Sequence, residues 1–209
     1  MKIFVLIKDI AVRHSIKDVD SLRKLTLFLL SNVGNLVSAN KLTNLFGIKA
    51  TSTPLEYFSY LTEAYLIDFV PQFDYSTKVQ IRNPKKIYAI DTGIAKNVSF
   101  SVTENAGHLL ENLVYLHLRR KYKEIFHFNQ NKTECDFAVM KNEKIVQVVQ
   151  VCYELLPENR EREIRGLMAA MDFFGTNNGL VVSFNQHDTF IHNGKQIHVL
   201  PAYEFLMNK

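Results

Sequence analysis

The stretch that most constrains this chain covers residues 107–183. Leu109, Leu110, Leu113, Val114, Leu116 and Leu118 make 107–121 a helix too apolar to lie alone on a surface. Arg119, Arg120 and Lys121 put positive charge at its C-terminal end, where the helix dipole favours it. Three extended segments follow at short intervals, 125–129, 135–140 and 145–153, divided by Asn131-Lys132-Thr133 and Lys141-Asn142-Glu143. A helix from about residue 158 to 174, closed by Gly175, leads into the apolar strand 179–183. A hairpin around Asn193-Gly194, a strand at 197–200 and a short helix opened by Pro201 complete the order αβββαβ with additions, an α/β back half (α+β over the whole chain).

The front half reads differently. Asp18 and Asp20 cap a helix with Leu22, Leu25, Leu29 and Leu30 at helical spacing. Ser38 caps a second, with Leu42, Leu45 and Phe46 as its apolar stripe and Gly47 as its left-handed stop. Thr53, Pro54 and Glu56 form a capping box for a third, whose Leu55, Phe58, Leu61 and Tyr65 are expected to face inward. After Leu66 the pattern turns extended: Ile67, Phe69 and Val70, a turn-rich stretch over 71–78, then 79–82 and 86–90. Three helices followed by a β-hairpin is the winged-helix order, and it predicts a linker at 1–18, a winged-helix-like domain at 19–100 and a second domain at 101–209.

Charge is divided between these halves. Residues 1–100 carry 13 Lys/Arg against 8 Asp/Glu, residues 101–209 carry 12 against 13, and the whole chain is +4. The basic front half permits a DNA partner without requiring one. A third helix used for recognition would expose Glu56, Tyr57, Tyr60 and Glu63, a poor set for reading base edges. Lys49, Thr51 and Ser52 would lead into it, and Lys78, Arg82, Lys85 and Lys86 on the wing would grip phosphates without sequence preference. Two cysteines are too few for a disulfide framework, residues 3–7 are too short an apolar run for a signal peptide, and no stretch approaches the ~20 apolar residues that span a bilayer. The expectation is a cytoplasmic, non-membrane protein with reduced thiols.

Polar residues fall at informative places in the back half. Glu111 interrupts an apolar helix, Asp136 opens the second strand, and Gln150 and Cys152 lie two apart on one face of the third. Carboxylates converging from adjacent elements suit Mg²⁺, which polarises phosphate and activates water in phosphodiester cleavage. A lysine usually helps to stabilise the developing charge, and this pattern lacks one.

Glu111-Asn112, Glu134-Cys135-Asp136-Phe137 and Gln150-Val151-Cys152-Tyr153 resemble the core of the PD-(D/E)xK nuclease superfamily. More narrowly, they resemble the C-terminal domain of unknown function of a large group of prokaryotic AAA-type ATPases. The likeness extends forward through Asn83-Pro84-Lys85-Lys86-Ile87-Tyr88-Ala89-Ile90-Asp91-Thr92-Gly93 to the winged helix that precedes that domain, and so covers nearly the whole chain. The resemblance implies a restriction-endonuclease-like core with Glu111, Asp136 and Gln150 as metal ligands. Gln150 stands where a second acid is expected and Cys152 where the catalytic lysine is expected. A glutamine oxygen still ligates a hard cation, but a thiol does not replace an ammonium. Lys132, Arg162 or Arg165 would have to supply the missing cation, and Glu154 a substitute carboxylate.

The resemblance also implies an ATPase beside this module, in cis or in trans, because no Gly-x-x-x-x-Gly-Lys-Ser/Thr loop occurs here and the chain binds no ATP itself. On that likeness residues 1–18 are the segment joining ATPase to winged helix, and the chain is a C-terminal fragment. The expected function is a nucleic-acid-associated module with a degenerate, inactive site. Its rivals are an active Mg²⁺-dependent nuclease and a protein-docking or homo-oligomerising platform. Asp91-Thr92-Gly93 is read as a cap leading to Ile94 rather than half of an aspartic-protease pair. His187 and His192 are read as surface histidines, Cys135 and Cys152 as buried small hydrophobes, and the Arg160, Arg162, Arg165, Glu158, Glu161, Glu163 alternation as a solvent-exposed helix face.

Overall fold

The computed structural model describes residues 2–98 and 106–207, which divide into two interleaved units, 2–70 with 82–98 and 71–81 with 106–207. Both mix helices and strands.

The first unit opens with α1 (Lys2–Arg13), a helix within the segment expected to be a linker. Ile7, Ile10 and Ala11 recur at helical spacing and are buried, which gives this helix a place in a core. Asp18 caps α2 (Val19–Ser31) by accepting from the Ser21 N–H at 3.0 Å, and Leu22, Leu25, Leu29 and Leu30 are buried as their spacing predicts. Strand β1 (Leu36–Val37) leads to α3 (Ala39–Phe46), where Ser38 accepts from the Lys41 N–H and Gly47 stops the helix at φ 63°. Leu42 is buried, but Leu45, expected beside it, is exposed.

Helix α4 (Ser52–Glu63) starts earlier than the capping box predicts. Thr51 is already helical at φ −69°, so Pro54 falls at the third helical position, where its missing N–H still costs nothing. The buried face is Pro54, Tyr57, Phe58 and Leu61, which keeps Phe58 and Leu61 of the expected set and corrects the rest. Leu55 is exposed, and Tyr65 lies past the helix in a left-handed turn at φ 52°, also exposed. Strands β2 (Ile67–Pro71) and β3 (Lys85–Ala89) join β1 in a three-stranded sheet of order β1-β3-β2, with Leu36 opposite Lys86. Helix α6 (Thr92–Val98) is capped by Asp91, whose Oδ1 accepts from the N–H groups of Gly93 (2.7 Å) and Ile94 (3.3 Å), as read from the sequence.

Residues 79–82, expected to be extended, belong to a helix, α5 (Thr77–Arg82). Asp74 accepts from the Ser76 N–H at 2.8 Å, and the Ser76 carbonyl then starts a helical turn by accepting from Val79 and Gln80. Residues 71–81 join the second unit as an arm. Phe73 donates its N–H to the His127 carbonyl at 2.8 Å, Gln72 reaches the Asn129 carbonyl at 2.7 Å, and the Phe73 ring meets Phe126 and Phe174 edge-on.

The rest of the second unit follows the expected order: α7 (Ala106–Lys121), β4 (Glu124–Gln130), β5 (Thr133–Lys141), β6 (Lys144–Val151), α8 (Pro157–Phe174), β7 (Asn178–Ser183), β8 (Asp188–His192), β9 (Lys195–Pro201) and α9 (Ala202–Met207). Pro201 ends β9 rather than opening α9. The six strands lie in the order β4-β5-β6-β7-β9-β8. β4–β5–β6 and β8–β9 are antiparallel hairpins, while β7 runs parallel to β6 and β9. Asn131-Lys132, Asn142-Glu143 and Asn193-Gly194 turn the three hairpins with both residues at positive φ, the two-residue geometry that matches strand twist. α8 packs across β5, β6 and β7 with Ile164, Leu167, Met168 and Met171 beneath it. Gly166 allows the close approach, since a Cβ there would lie 2.1 Å from the Glu134 carbonyl oxygen. Among the described residues no helix is long and apolar enough to cross a membrane. The expected boundary between residues 100 and 101 lies outside the described residues.

Candidate functional site

The antiparallel register that pairs Phe137 with Val149 sets Asp136 opposite Gln150 at the inner ends of β5 and β6. Both are buried. Asp136 Oδ2 accepts from the Val151 N–H at 2.8 Å, and Gln150 Oε1 accepts from the Asp136 N–H at 3.3 Å. The Gln150 amide then donates to Glu163 Oε2 on α8 at 2.7 Å. Arg162 donates through Nε (3.1 Å) and Nη2 (2.6 Å) to the other oxygen, Glu163 Oε1. The result is a continuous chain from a strand backbone through two carboxylates and an amide to a guanidinium. The Glu163 carboxylate pushes the Arg162 pKa further up and keeps it charged.

Glu163 is 7% exposed, which corrects its expected place on a solvated face. The signal that would have found it is its position one residue before Ile164 and four before Leu167, on the apolar stripe of α8. Arg160 and Arg162 keep the solvent positions, with Arg160 over the Phe190 ring at 4.4 Å.

Cys152 follows β6, its N–H bonded to the Val182 carbonyl at 3.0 Å and its thiol donating to the Glu154 carbonyl at 3.1 Å. Burial first, and the Glu163 charge second, push the thiol up to about 11, so it is protonated at neutral pH. Cys135 is buried, unbridged and packed in the same core cluster. Of the proposed substitutes, Lys132 and Arg165 are exposed, and so is the Glu154 side chain; Arg162 is the cation joined to the network. Glu111 is buried on α7, which packs on β6, with His108 Nδ1 at 3.8 Å. Among the described residues, no three His, Cys, Asp or Glu side chains are grouped to hold a metal ion.

The residues expected at nucleic acid divide. Lys49, Thr51 and Ser52 are exposed at the entry to α4, and Arg82 is exposed at the end of α5. Lys78 is exposed on the arm, within the second unit. Lys86 is 3% exposed on β3, which removes it from any phosphate-gripping surface; Lys85 is half-buried, with its pKa lowered by burial. On α4, Glu56 and Glu63 are exposed, Tyr60 stacks on His14 at 3.8 Å, and Tyr57, expected outside, is buried. His187 is exposed near Glu204, and His192 is exposed at the end of β8.

Residues 4–105 match a family model described as a domain of unknown function, DUF8612. The chain is similar to an uncharacterised protein of Methanocaldococcus jannaschii, 34% identical over 80% of this chain and 38% of that protein. It is also similar to an uncharacterised protein of Haemophilus influenzae, 30% identical over 74% of this chain and 39% of that protein. The chain therefore spans less than two fifths of the length of these relatives. No solved structure matches it.

Proposed function

We propose that this chain is a nucleic-acid-associated module, a winged helix joined to a PD-(D/E)xK-like domain that does not cut, working beside an AAA-type ATPase domain in cis or in trans. The observation that carries this reading is the closed chain Asp136–Gln150–Glu163–Arg162. A metal nuclease needs several carboxylate or carbonyl oxygens turned toward one cation. Here Gln150 turns an N–H toward Glu163, an arginine already neutralises that carboxylate, and the position expected to hold a lysine holds a protonated thiol. The donor set is a poor fit for Mg²⁺.

For the first unit, the element order α2, β1, α3, α4, β2, β3 and the sheet order β1-β3-β2 support the winged-helix reading, and the exposed Lys49 and Arg82 suit sequence-independent phosphate contact. That similarity to much longer proteins extends over most of this chain supports a module acting within or beside a larger machine.

Two measurements test the proposal. Incubation with DNA and Mg²⁺ or Mn²⁺ should leave the substrate intact; cleavage that disappears in Asp136→Ala would make the chain an active nuclease instead. A gel shift at low ionic strength should show DNA binding that weakens with added salt. Absence of binding there would leave protein docking as the function.

A further inference from the structure

Within the second unit, a groove of about 880 Å³ lies where the arm of residues 71–81, the β5–β6 turn and the C-terminal end of α8 come together, a volume in the range of small-molecule sites. Its walls are held in place. The bonds of Phe73 and Gln72 to the His127 and Asn129 carbonyls fix the arm on β4, and Gln80 Nε2 donates to the Asp74 carbonyl at 2.6 Å, which folds the arm on itself. On the sheet side the registers set Glu124 opposite Met140, and Met140 opposite Ile145.

Three features of the lining select the charge of an occupant. Phe73, Tyr75, Phe126, Phe173 and Phe174 all line the groove, and the face of an aromatic ring attracts cations. Phe73 meets Tyr75 edge-on at 5.3 Å, and Tyr75 is tilted 37° to Phe173 at 6.1 Å, yet Tyr75 is 85% exposed, so these contacts leave most of its ring open. Asp74, Glu124 and Glu143 also line the groove, against one base, Lys144. Among the described residues Lys144 forms no ion pair with any of the three; Asp74 Oδ1 accepts from the Ser76 N–H at 2.8 Å. Finally, α8 ends at the groove through Phe173, Phe174 and Gly175 with no basic residue in its last turn, so the negative end of its dipole borders the site.

We propose that this groove binds a small organic ammonium ion, its apolar or aromatic body packed on the rings and its charge shared between the open face of Tyr75 and the carboxylates of Asp74, Glu124 and Glu143. An anion would meet repulsion from all three acids and from the helix end, and a neutral molecule would use the rings but not the carboxylates. The groove is separate from the Asp136–Gln150–Glu163 network and independent of the nucleic-acid reading, because its charge disfavours phosphate.

Phenethylammonium, 2-phenylethanol and phenylacetate share one ring and are positive, neutral and negative. Saturation-transfer NMR with the unaltered chain should show saturable binding of the ammonium that weakens with added salt, weaker binding of the alcohol, and none of phenylacetate. Glu124→Gln combined with Glu143→Gln changes two exposed side chains. It should weaken the ammonium about threefold to tenfold, as two exposed charge pairs predict, and leave the alcohol unchanged. Tyr75→Ala, also at an exposed side chain, should weaken the ammonium about threefold to fivefold, the worth of one exposed cation–π contact. Circular dichroism of each variant checks the fold. Alcohol or phenylacetate binding as tightly as the ammonium, ammonium affinity that neither variant moves, or no saturable binding of the ammonium to the unaltered chain would each overturn the proposal, and each leaves the nucleic-acid reading as it stands.

Discussion

In the second unit, Asp136, Gln150 and Glu163 are each less than a tenth exposed and direct hydrogen bonds at one another and at strand backbone. In the first unit, Lys49, Thr51, Ser52 and Arg82 stand in solvent. Polar groups of the first kind are bound into the fold, because a buried donor or acceptor left without its partner carries its whole desolvation penalty. Those of the second kind are available to a partner and contribute little to folding. The contrast sets where each substitution should register, in stability for the second unit and in binding for the first.

The largest effect is expected at Gly166→Ala. The new methyl would meet the Glu134 carbonyl, a backbone atom that moves only if α8 lifts from β5. Overpacking of this kind costs about 3 kcal/mol or more, read as a fall in the denaturant midpoint. A change below about 1 kcal/mol would mean that α8 is not held tightly over the network.

Glu163→Ala comes next. It removes the acceptor of the Gln150 amide and the counter-ion of Arg162, and a loss of about 2–3 kcal/mol follows from one buried donor stranded in a low-dielectric site. Glu163→Gln, which keeps an acceptor oxygen, should lose less. Equal losses in the two variants would show that shape, rather than the hydrogen bond, holds this part of α8.

How much of this was legible in the sequence follows from the same physics. A strand fixes side-chain direction every second residue, so Gln150 and Cys152 fall on one face, and the hairpin register brings Asp136 opposite Gln150. Asn131-Lys132 and Asn193-Gly194 announced their turns because few residues tolerate positive φ. Glu163 was hidden because the alternating arginines and glutamates of 158–165 read as surface, and its place on the apolar stripe with Ile164 and Leu167 was the one sign that it turns inward. Lys86 was hidden for the converse reason: it follows Lys85 in a basic run, yet β3 is the central strand of its sheet and is buried from Lys86 to Ala89. Residues 79–82 were misread because the Asp74 cap and the Ser76 carbonyl start a helical turn that no apolar period signals.

A smaller effect concerns pH. The Cys152 thiol titrates at about 11, above the value of about 9 it has when unfolded. Its contribution to stability is therefore complete below about pH 9 and is lost as pH rises through about 11, since the unfolded chain gives up this proton first. The loss should be on the order of 1–2 kcal/mol and absent from Cys152→Ala, whose alkaline limb should be flatter. Alkylation of Cys152 by a soluble reagent should be slow at pH 8 and quicken toward pH 11; rapid reaction at pH 8 would show a thiol more open than the buried one described.

The smallest stability effects, and the sharpest test of the contrast, lie in the first unit. Lys49→Ala and Arg82→Ala alter exposed side chains and should each shift stability by no more than about 0.5 kcal/mol. In DNA binding each should reduce the slope of log affinity against log salt by about one, because one fewer phosphate is neutralised and one fewer counter-ion released. Lys86→Met keeps the stem and removes an ammonium that β3 holds out of solvent, so it should leave the salt slope unchanged. A slope that falls as much for Lys86→Met as for Lys49→Ala would mean that β3 opens its buried lysine to the strand, and the division between committed and available charge would fail in this unit.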